Sequence, residues 1–194
     1  DNGYIEIAGL SQVIYIKKNI GIPDTRSNIV TPGYATGLTI SPYDSTLFAA
    51  CGEMGFSMFD LSAFDDGYAS YPISGWCDTP GYAEDVVLNY NESVAFLACG
   101  TEGLQIINYA DTTDIKLVGN YATEGYAKEL KYEDQTIFVT AGAQGVQIID
   151  VSNVASPEII GVLETENARG FDMDENYLYV ADEVEGLIVI SRPK

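Results

Sequence analysis

The sequence contains no histidine, and only nine Lys and Arg stand against 29 Asp and Glu, a formal net charge of −20. Without histidine there can be no Ser–His–Asp triad, no Cys–His pair and no histidine-ligated metal. The shortage of basic residues makes phosphate backbones and anionic lipid heads poor partners, so neither nucleic acid nor a membrane surface is expected. Cations and basic protein patches would be attracted. Three cysteines are an odd number, so at least one is unpaired within the chain, and none lies in the CxxC spacing of a zinc site or redox pair. There is no run of eighteen apolar residues and no basic-then-apolar N-terminus, so the sequence is expected neither to span a membrane nor to include a signal peptide. Glycine-rich phosphate loops are missing, and no segment keeps the 3.6-residue apolar period of a helix for long.

What the chain has in quantity is apolar residues, 46% of the total, which is ample for a core. It also repeats itself. Residues 145–161 (GVQIIDVSNVASPEIIG) read as a strand, a polar turn holding Asn153 and Pro157, and a second strand ending at Gly161. Variants recur at 55–62 (GFSMFDLS), 103–108 (GLQIIN) and 186–191 (GLIVIS), with leading glycines roughly forty to fifty residues apart. A Gly-Tyr-Ala tripeptide opens each unit at Gly33, Gly81 and Gly125, degraded to Glu166-Asn167-Ala168 in the last. The repeats therefore span 33–80, 81–124, 125–165 and 166–194. Residues 1–32 form an incomplete copy, with short strands at 4–7 and 13–16 and a connector or loose outer strand over 17–31. Residues 63–80 read as an insertion carrying Trp76 and Cys77. One unit of this size cannot bury its own apolar face, so the chain is a single array over 1–194. Four short strands per unit describe a propeller blade, whereas a β-sandwich gives no reason for so regular a repeat.

The motif at 145–153, preceded by Gly125-Tyr126-Ala127 and followed by Pro157 and Gly161, resembles the LVIVD repeat. The resemblance covers residues 33–194 and is best over 125–165. It implies an all-β β-propeller, here about four recognisable four-stranded blades plus an incomplete N-terminal one, from a protein secreted or displayed at the cell surface. It brings no catalytic residues with it. Two closures stay open: the N-terminal strands complete the last blade, or the array is part of a larger propeller.

In an antiparallel meander the hairpin between strands two and three shares a face with the link into the next unit. That face gathers Glu53, Glu84, Asp85, Glu102, Glu124, Glu166, Asp182, Glu183 and Glu185, against Lys128 and Arg169. It suits a cation or a basic partner at a channel mouth, and the competing reading is an ordinary solvated loop face. Asp172, Asp174 and Asn176 have the alternating oxygens of a calcium loop, but they fall where other repeats place turn residues. No cofactor is expected, with calcium left open. Asn91-Glu92-Ser93 is a glycosylation sequon on a turn. Tyr34, Tyr82 and Tyr126 recur at one position, which points to repeat packing, and Cys51 and Cys99 share a small-residue slot that reads as packing too. Three functions follow: a non-catalytic binding or scaffolding propeller with a protein partner, a carbohydrate-active enzyme with carboxylates at the channel mouth, or a structural repeat in a larger assembly or homo-oligomer.

Overall fold

The computed structural model describes residues 4–9, 12–17, 25–62 and 72–192. These residues form strands and turns, with no helix among them. In chain order the strands are β1 (Tyr4–Gly9), β2 (Gln12–Lys17) and β3 (Thr25–Val30), then β4 (Gly37–Ile40), β5 (Thr46–Ala50), β6 (Phe56–Asp60) and β7 (Ile73–Cys77). Next come β8 (Asp85–Asn89), β9 (Val94–Ala98), β10 (Leu104–Asn108) and β11 (Lys116–Tyr121), followed by β12 (Leu130–Glu133), β13 (Thr136–Thr140), β14 (Val146–Asp150) and β15 (Glu158–Leu163). The last are β16 (Ala168–Met173), β17 (Tyr177–Asp182) and β18 (Gly186–Ser191). Each repeat makes one antiparallel sheet of sequential strands: four strands in each of repeats one to three, three in repeat four and three in the N-terminal sheet. These sheets are the expected meanders. Residues 17–31 do supply an outer strand, because β3 pairs with β2 along its length.

Trp76 and Cys77 are not in an irregular insertion. They lie on β7, the fourth strand of repeat one, and residues 63–71 are outside the described residues. The sequence hides this strand because its motif is worn, but the register is that of the other repeats. In all three four-stranded sheets the pairing slips by one residue at the same place, at Met58/Phe59, Ile106/Ile107 and Ile148/Ile149. The residue on the far side of each slip is a glycine, Gly75, Gly119 or Gly161. A bulge on the outer strand raises the local twist, and a side chain at Gly119 would meet the Val154 carbonyl oxygen of the next repeat at 1.8 Å.

The apolar alternation runs on both faces of the sheets, and those of repeats one to three are buried on both sides by their neighbours. Repeat two presents Val94, Phe96, Ala98, Leu104 and Ile106 to repeat three, which answers with Ala127, Leu130, Ile137, Val139 and Ile149. The same positions meet between repeats one and two, where Phe48, Phe56 and Met58 pack on Ala83, Val86, Leu97 and Ile107. They meet again between repeats three and four, where Phe138, Val146 and Ile148 pack on Ala168, Phe171, Leu178 and Val180. Cys51 and Cys99 are fully buried in these layers, and burial pushes the Cys99 thiol up to about 12, as befits a packing residue.

Leu104 and Leu187 hold the same register position in repeats two and four, yet Leu104 is 0% exposed and Leu187 72%. Leu104→Ala should therefore cost about 2–5 kcal/mol of stability, as large-to-small core changes do. Leu187→Ala should stay within about 0.5 kcal/mol. Urea unfolding followed by tyrosine and tryptophan fluorescence at low protein concentration checks both.

Candidate functional site: the inter-repeat rim and its carboxylates

The Gly-Tyr-Ala tripeptide is the joint between repeats. Its glycine sits against the hairpin of its own sheet, where a Cβ at Gly125 would fall 2.0 Å from the Ala141 carbonyl oxygen. Its alanine bonds to the hairpin of the preceding sheet. Ala83 N–H donates to Gly52 O at 2.9 Å and Gly52 N–H donates to Ala83 O at 3.1 Å, with the same pair repeated between Ala127 and Gly100. In repeat four Ala168 N–H still donates to Gly142 O, so the worn tripeptide keeps its bridge. Gly52 and Gly100 both hold φ +57, a left-handed conformation natural to glycine. The ring of Tyr82 covers Gly52 and that of Tyr126 covers Gly100.

Tyr82 and Tyr126 cap this joint, and the joint carries them to the rim. Tyr34 and Tyr126 remain 53% and 41% exposed, so each keeps a free ring edge beside the acidic turns. Burial raises the Tyr82 phenol, and the charges of Glu84 and Glu53, with Tyr34, add to the shift, which places these four side chains around one spot. Tyr126 donates its hydroxyl to Glu84 of the preceding repeat, a hydrogen bond that, with burial, pushes the phenol up to about 12. Glu53, Glu102 and Glu124 are exposed on adjoining turns.

The other acids expected on that face divide into different roles. Glu166 and Glu185 line an open groove of about 670 Å³ together with Gln144, Glu164 and Thr165. Glu183 is taken up by Arg169 and by the Asn167 amide, whose Nδ2 donates at 2.8 Å. Asp182 is not a surface acid at all, since it is 6% exposed and acts as the hairpin cap of repeat four. Its carboxylate accepts from Asn167 N (2.6 Å), Val184 N (2.8 Å) and Glu185 N (2.9 Å). It stands where the other repeats have Cys51, Cys99 and Ala141, in the one hairpin that lacks the first glycine. Burial pulls its pKa up, but the backbone donors outweigh burial and bring it to about 2.

Asp85 is likewise not on an exposed loop. It opens the inner strand β8 and reaches across to repeat three, where its Oδ2 accepts from Leu130 N at 3.1 Å while Oδ1 accepts from its own Val86 N at 2.9 Å. Burial raises its pKa to about 6 against these bonds, and the nearby Glu129 carboxylate raises it further. Glu129 is the same device one repeat on: Oε2 accepts from Phe171 N of repeat four at 3.2 Å, and burial raises its pKa as well. Glu129 was not among the residues expected from sequence, though it lies two residues after Ala127 just as Asp85 lies two after Ala83. At that position repeats one and four carry Gly37 and Gly170. A Cβ at Gly37 would lie 2.7 Å from Asp85 Oδ1, and one at Gly170 would lie 2.6 Å from Glu129 Oε2. The two glycines make room for the two acids.

Asp174 is engaged as a turn cap, accepting from Asn176 N (2.7 Å), Tyr177 N (2.8 Å) and the Tyr179 hydroxyl (2.8 Å). Asp172 pairs with Lys131 of repeat three, and Asn176 is exposed. A calcium ion there would have to compete with these partners. Asn91 is exposed on the turn between β8 and β9.

Asp85 and Glu129 bind more protons in the folded than in the unfolded chain between their ordinary and raised pKa values, so stability should fall as pH rises from about 4 through 6. Asp85→Asn keeps an acceptor for the Leu130 amide and removes the titration. It should flatten that slope, raising stability at pH 7 relative to the parent by about 1–3 kcal/mol. Asp182 works the other way, stabilising above its ordinary pKa and losing that contribution as pH falls from about 4 to about 2. Melting temperature against pH for both chains reads the outcome.

No curated protein matches the chain by sequence. Among solved structures, a Bacteroides uniformis protein described as a candidate 6-phosphogluconolactonase superposes with a TM-score of 0.78 at 13% identity, over 100% of this chain and 65% of its own. The computationally designed Ika4 protein superposes with a TM-score of 0.66 at 5% identity, over 85% of this chain and 96% of its own. At those identities the likeness is one of fold. The present chain thus spans somewhat less than two thirds of the bacterial protein. A model of the LVIVD repeat matches residues 124–165 and 167–191. The LVIVD repeat is a β-propeller repeat, and the two matched segments are the third and fourth sheets of the array.

Proposed function

We propose that the protein is a non-catalytic binding or scaffolding propeller of a secreted or cell-surface protein, built of four blades and an incomplete N-terminal one, and that its acidic rim receives a basic protein partner. The observation that carries this is the periodic placing of tyrosine edges beside carboxylates. Tyr34, Tyr82 and Tyr126 sit at one repeat position, with Glu53, Glu84, Glu102 and Glu124 on the turns around them. A lysine or arginine side chain laid along the rim would meet a carboxylate and an aromatic face at each repeat. The net charge of −20 draws such a partner in from a distance and weakens with salt.

The tuned pair Asp85 and Glu129 favours a second reading, an enzyme acting on carbohydrate, because a carboxylic acid with a pKa near 6 can serve as a general acid. Against it, three of the carboxylate oxygens involved already accept backbone N–H groups, two of them from the next repeat.

A lysine- and arginine-rich peptide immobilised on a biosensor is expected to bind the protein. The combined change Glu53→Lys, Glu102→Lys and Glu124→Lys should weaken that binding about tenfold or more, as should raising salt several-fold. Binding indifferent to both changes would remove the rim from consideration. Turnover of aryl glycosides abolished by Asp85→Asn would favour the enzyme instead.

A further inference from the structure

Repeat one departs from the others at one corner of the rim. Its register sets Trp76 opposite Ser57, where the corresponding pairs are Asn120 with Gln105 in repeat two and Val162 with Gln147 in repeat three. In the hairpin, Met54 stands where repeats two and three carry Glu102 and Gln144. Repeat one thus places the chain's single tryptophan and a methionine where repeat two has an amide and a carboxylate.

The two side chains are tied to the hairpin and yet left open. The Trp76 indole N–H donates to the Met54 carbonyl oxygen at 2.7 Å, which fixes the ring and satisfies its one donor. The Met54 side chain rests on Gly33, the residue before Tyr34, where an added Cβ would meet Met54 Cγ at 3.0 Å. Even so, Trp76, Met54 and Tyr34 remain 45%, 38% and 53% exposed. With its N–H satisfied, the exposed part of the indole offers only ring carbon. Acids flank this corner: Glu53 precedes Met54, Asp78 lies just beyond the end of β7, and both are exposed.

An aromatic surface flanked by carboxylates, in a chain of net charge −20, suits a cation. A guanidinium meets both demands, because it is planar and weakly hydrated, stacks on an indole and reaches carboxylates with its N–H edge. An ammonium is compact and strongly hydrated, so it gains less from the ring. We infer that Trp76, with Met54 and Tyr34 beside it and Glu53 and Asp78 flanking it, is the anchor at which the basic protein partner places an arginine side chain. This rests on the reading of the rim as a basic partner's site and adds to it one anchor and a preference for arginine over lysine.

Because the chain has one tryptophan, its emission reports on this corner directly. Two peptides serve as probes, one alternating arginine with glycine and one alternating lysine with glycine, each titrated into the native chain and each immobilised on a biosensor. The arginine peptide is expected to change the tryptophan emission saturably and to bind about threefold or more tighter than the lysine peptide. Trp76→Leu should bring the arginine peptide down to the affinity of the lysine peptide and leave the latter within about twofold. If Trp76→Leu disturbs folding, the emission change and the arginine-to-lysine ratio of the native chain carry the test without it. Equal binding of the two peptides, or arginine-peptide binding with the emission unmoved, would overturn the inference. In that case, binding still weakened by the combined Glu53→Lys, Glu102→Lys and Glu124→Lys change would leave the acidic rim standing without this anchor. A native chain that binds neither peptide would remove the rim and the anchor together.

Discussion

Everything in this molecule depends on sheets that must be covered on both faces. An isolated four-stranded sheet with Phe96, Leu104 and Ile106 on one side and Leu97, Cys99 and Ile107 on the other would leave two apolar surfaces in water. Burial is worth about 25 cal/mol per Å² of apolar area, so such a sheet gains most of its stability from the neighbours that cover it. Face-to-face packing alone would allow the sheets to slide. The pair of backbone bonds between Gly52 and Ala83, and between Gly100 and Ala127, pins each sheet to the next at one point and fixes the register of the whole interface. The Gly-Tyr-Ala tripeptide is the chemical form of that pin: a glycine for close approach, a ring over the neighbouring glycine, and an alanine small enough for the bridge.

The carboxylates are distributed by the same joints. Where the inner strand begins, Asp85 and Glu129 reach over to accept the amides of Leu130 and Phe171. They add a second inter-repeat tie on the inner side of the sheets, at the cost of two partly desolvated charges. The protein thus carries two kinds of acid. Those such as Asp182 and Asp174 are held by several backbone donors and keep their charge to low pH, whereas Asp85 and Glu129 are held less completely and bind protons more readily. Glu53, Glu102 and Glu124 stand exposed at the rim and set the field that a partner meets.

Much of the fold was legible in the sequence. The glycine at the start of each third strand, the tripeptide and the turn residues at Asp44, Asn91, Asp134 and Asp174 mark three strands of every repeat, because backbone geometry there tolerates few residue types. The fourth strand was less visible. Its signature is one glycine at a bulge, and in repeat one the surrounding residues, Ile73 to Cys77, share little else with Lys116 to Tyr121. The site was legible as a charge pattern and not as a set of roles. Asp182 and Asp85 look like Glu53 in a string of letters, and only the backbone amides around them show that they are structural caps and ties. Glu129 went unnoticed because its neighbours Lys128 and Lys131 make it look like part of a solvated mixed-charge strand. Alignment of the repeats on Ala83 and Ala127 would have placed it beside Asp85.

Hydrogen exchange of the native protein tests the inter-repeat pin most directly. The amides of Gly52, Ala83, Gly100 and Ala127 lie outside the named strands, in isolated bridges between one repeat and the next. If the backbone bridges hold the sheets in register, these four amides exchange as slowly as those of Phe96 and Ile106 in the core strands, because all open only when the array does. Exchange at the rate of the neighbouring turn amides, such as those of Glu53 and Thr101, would mean that the bridges open independently and that side-chain packing alone sets the register.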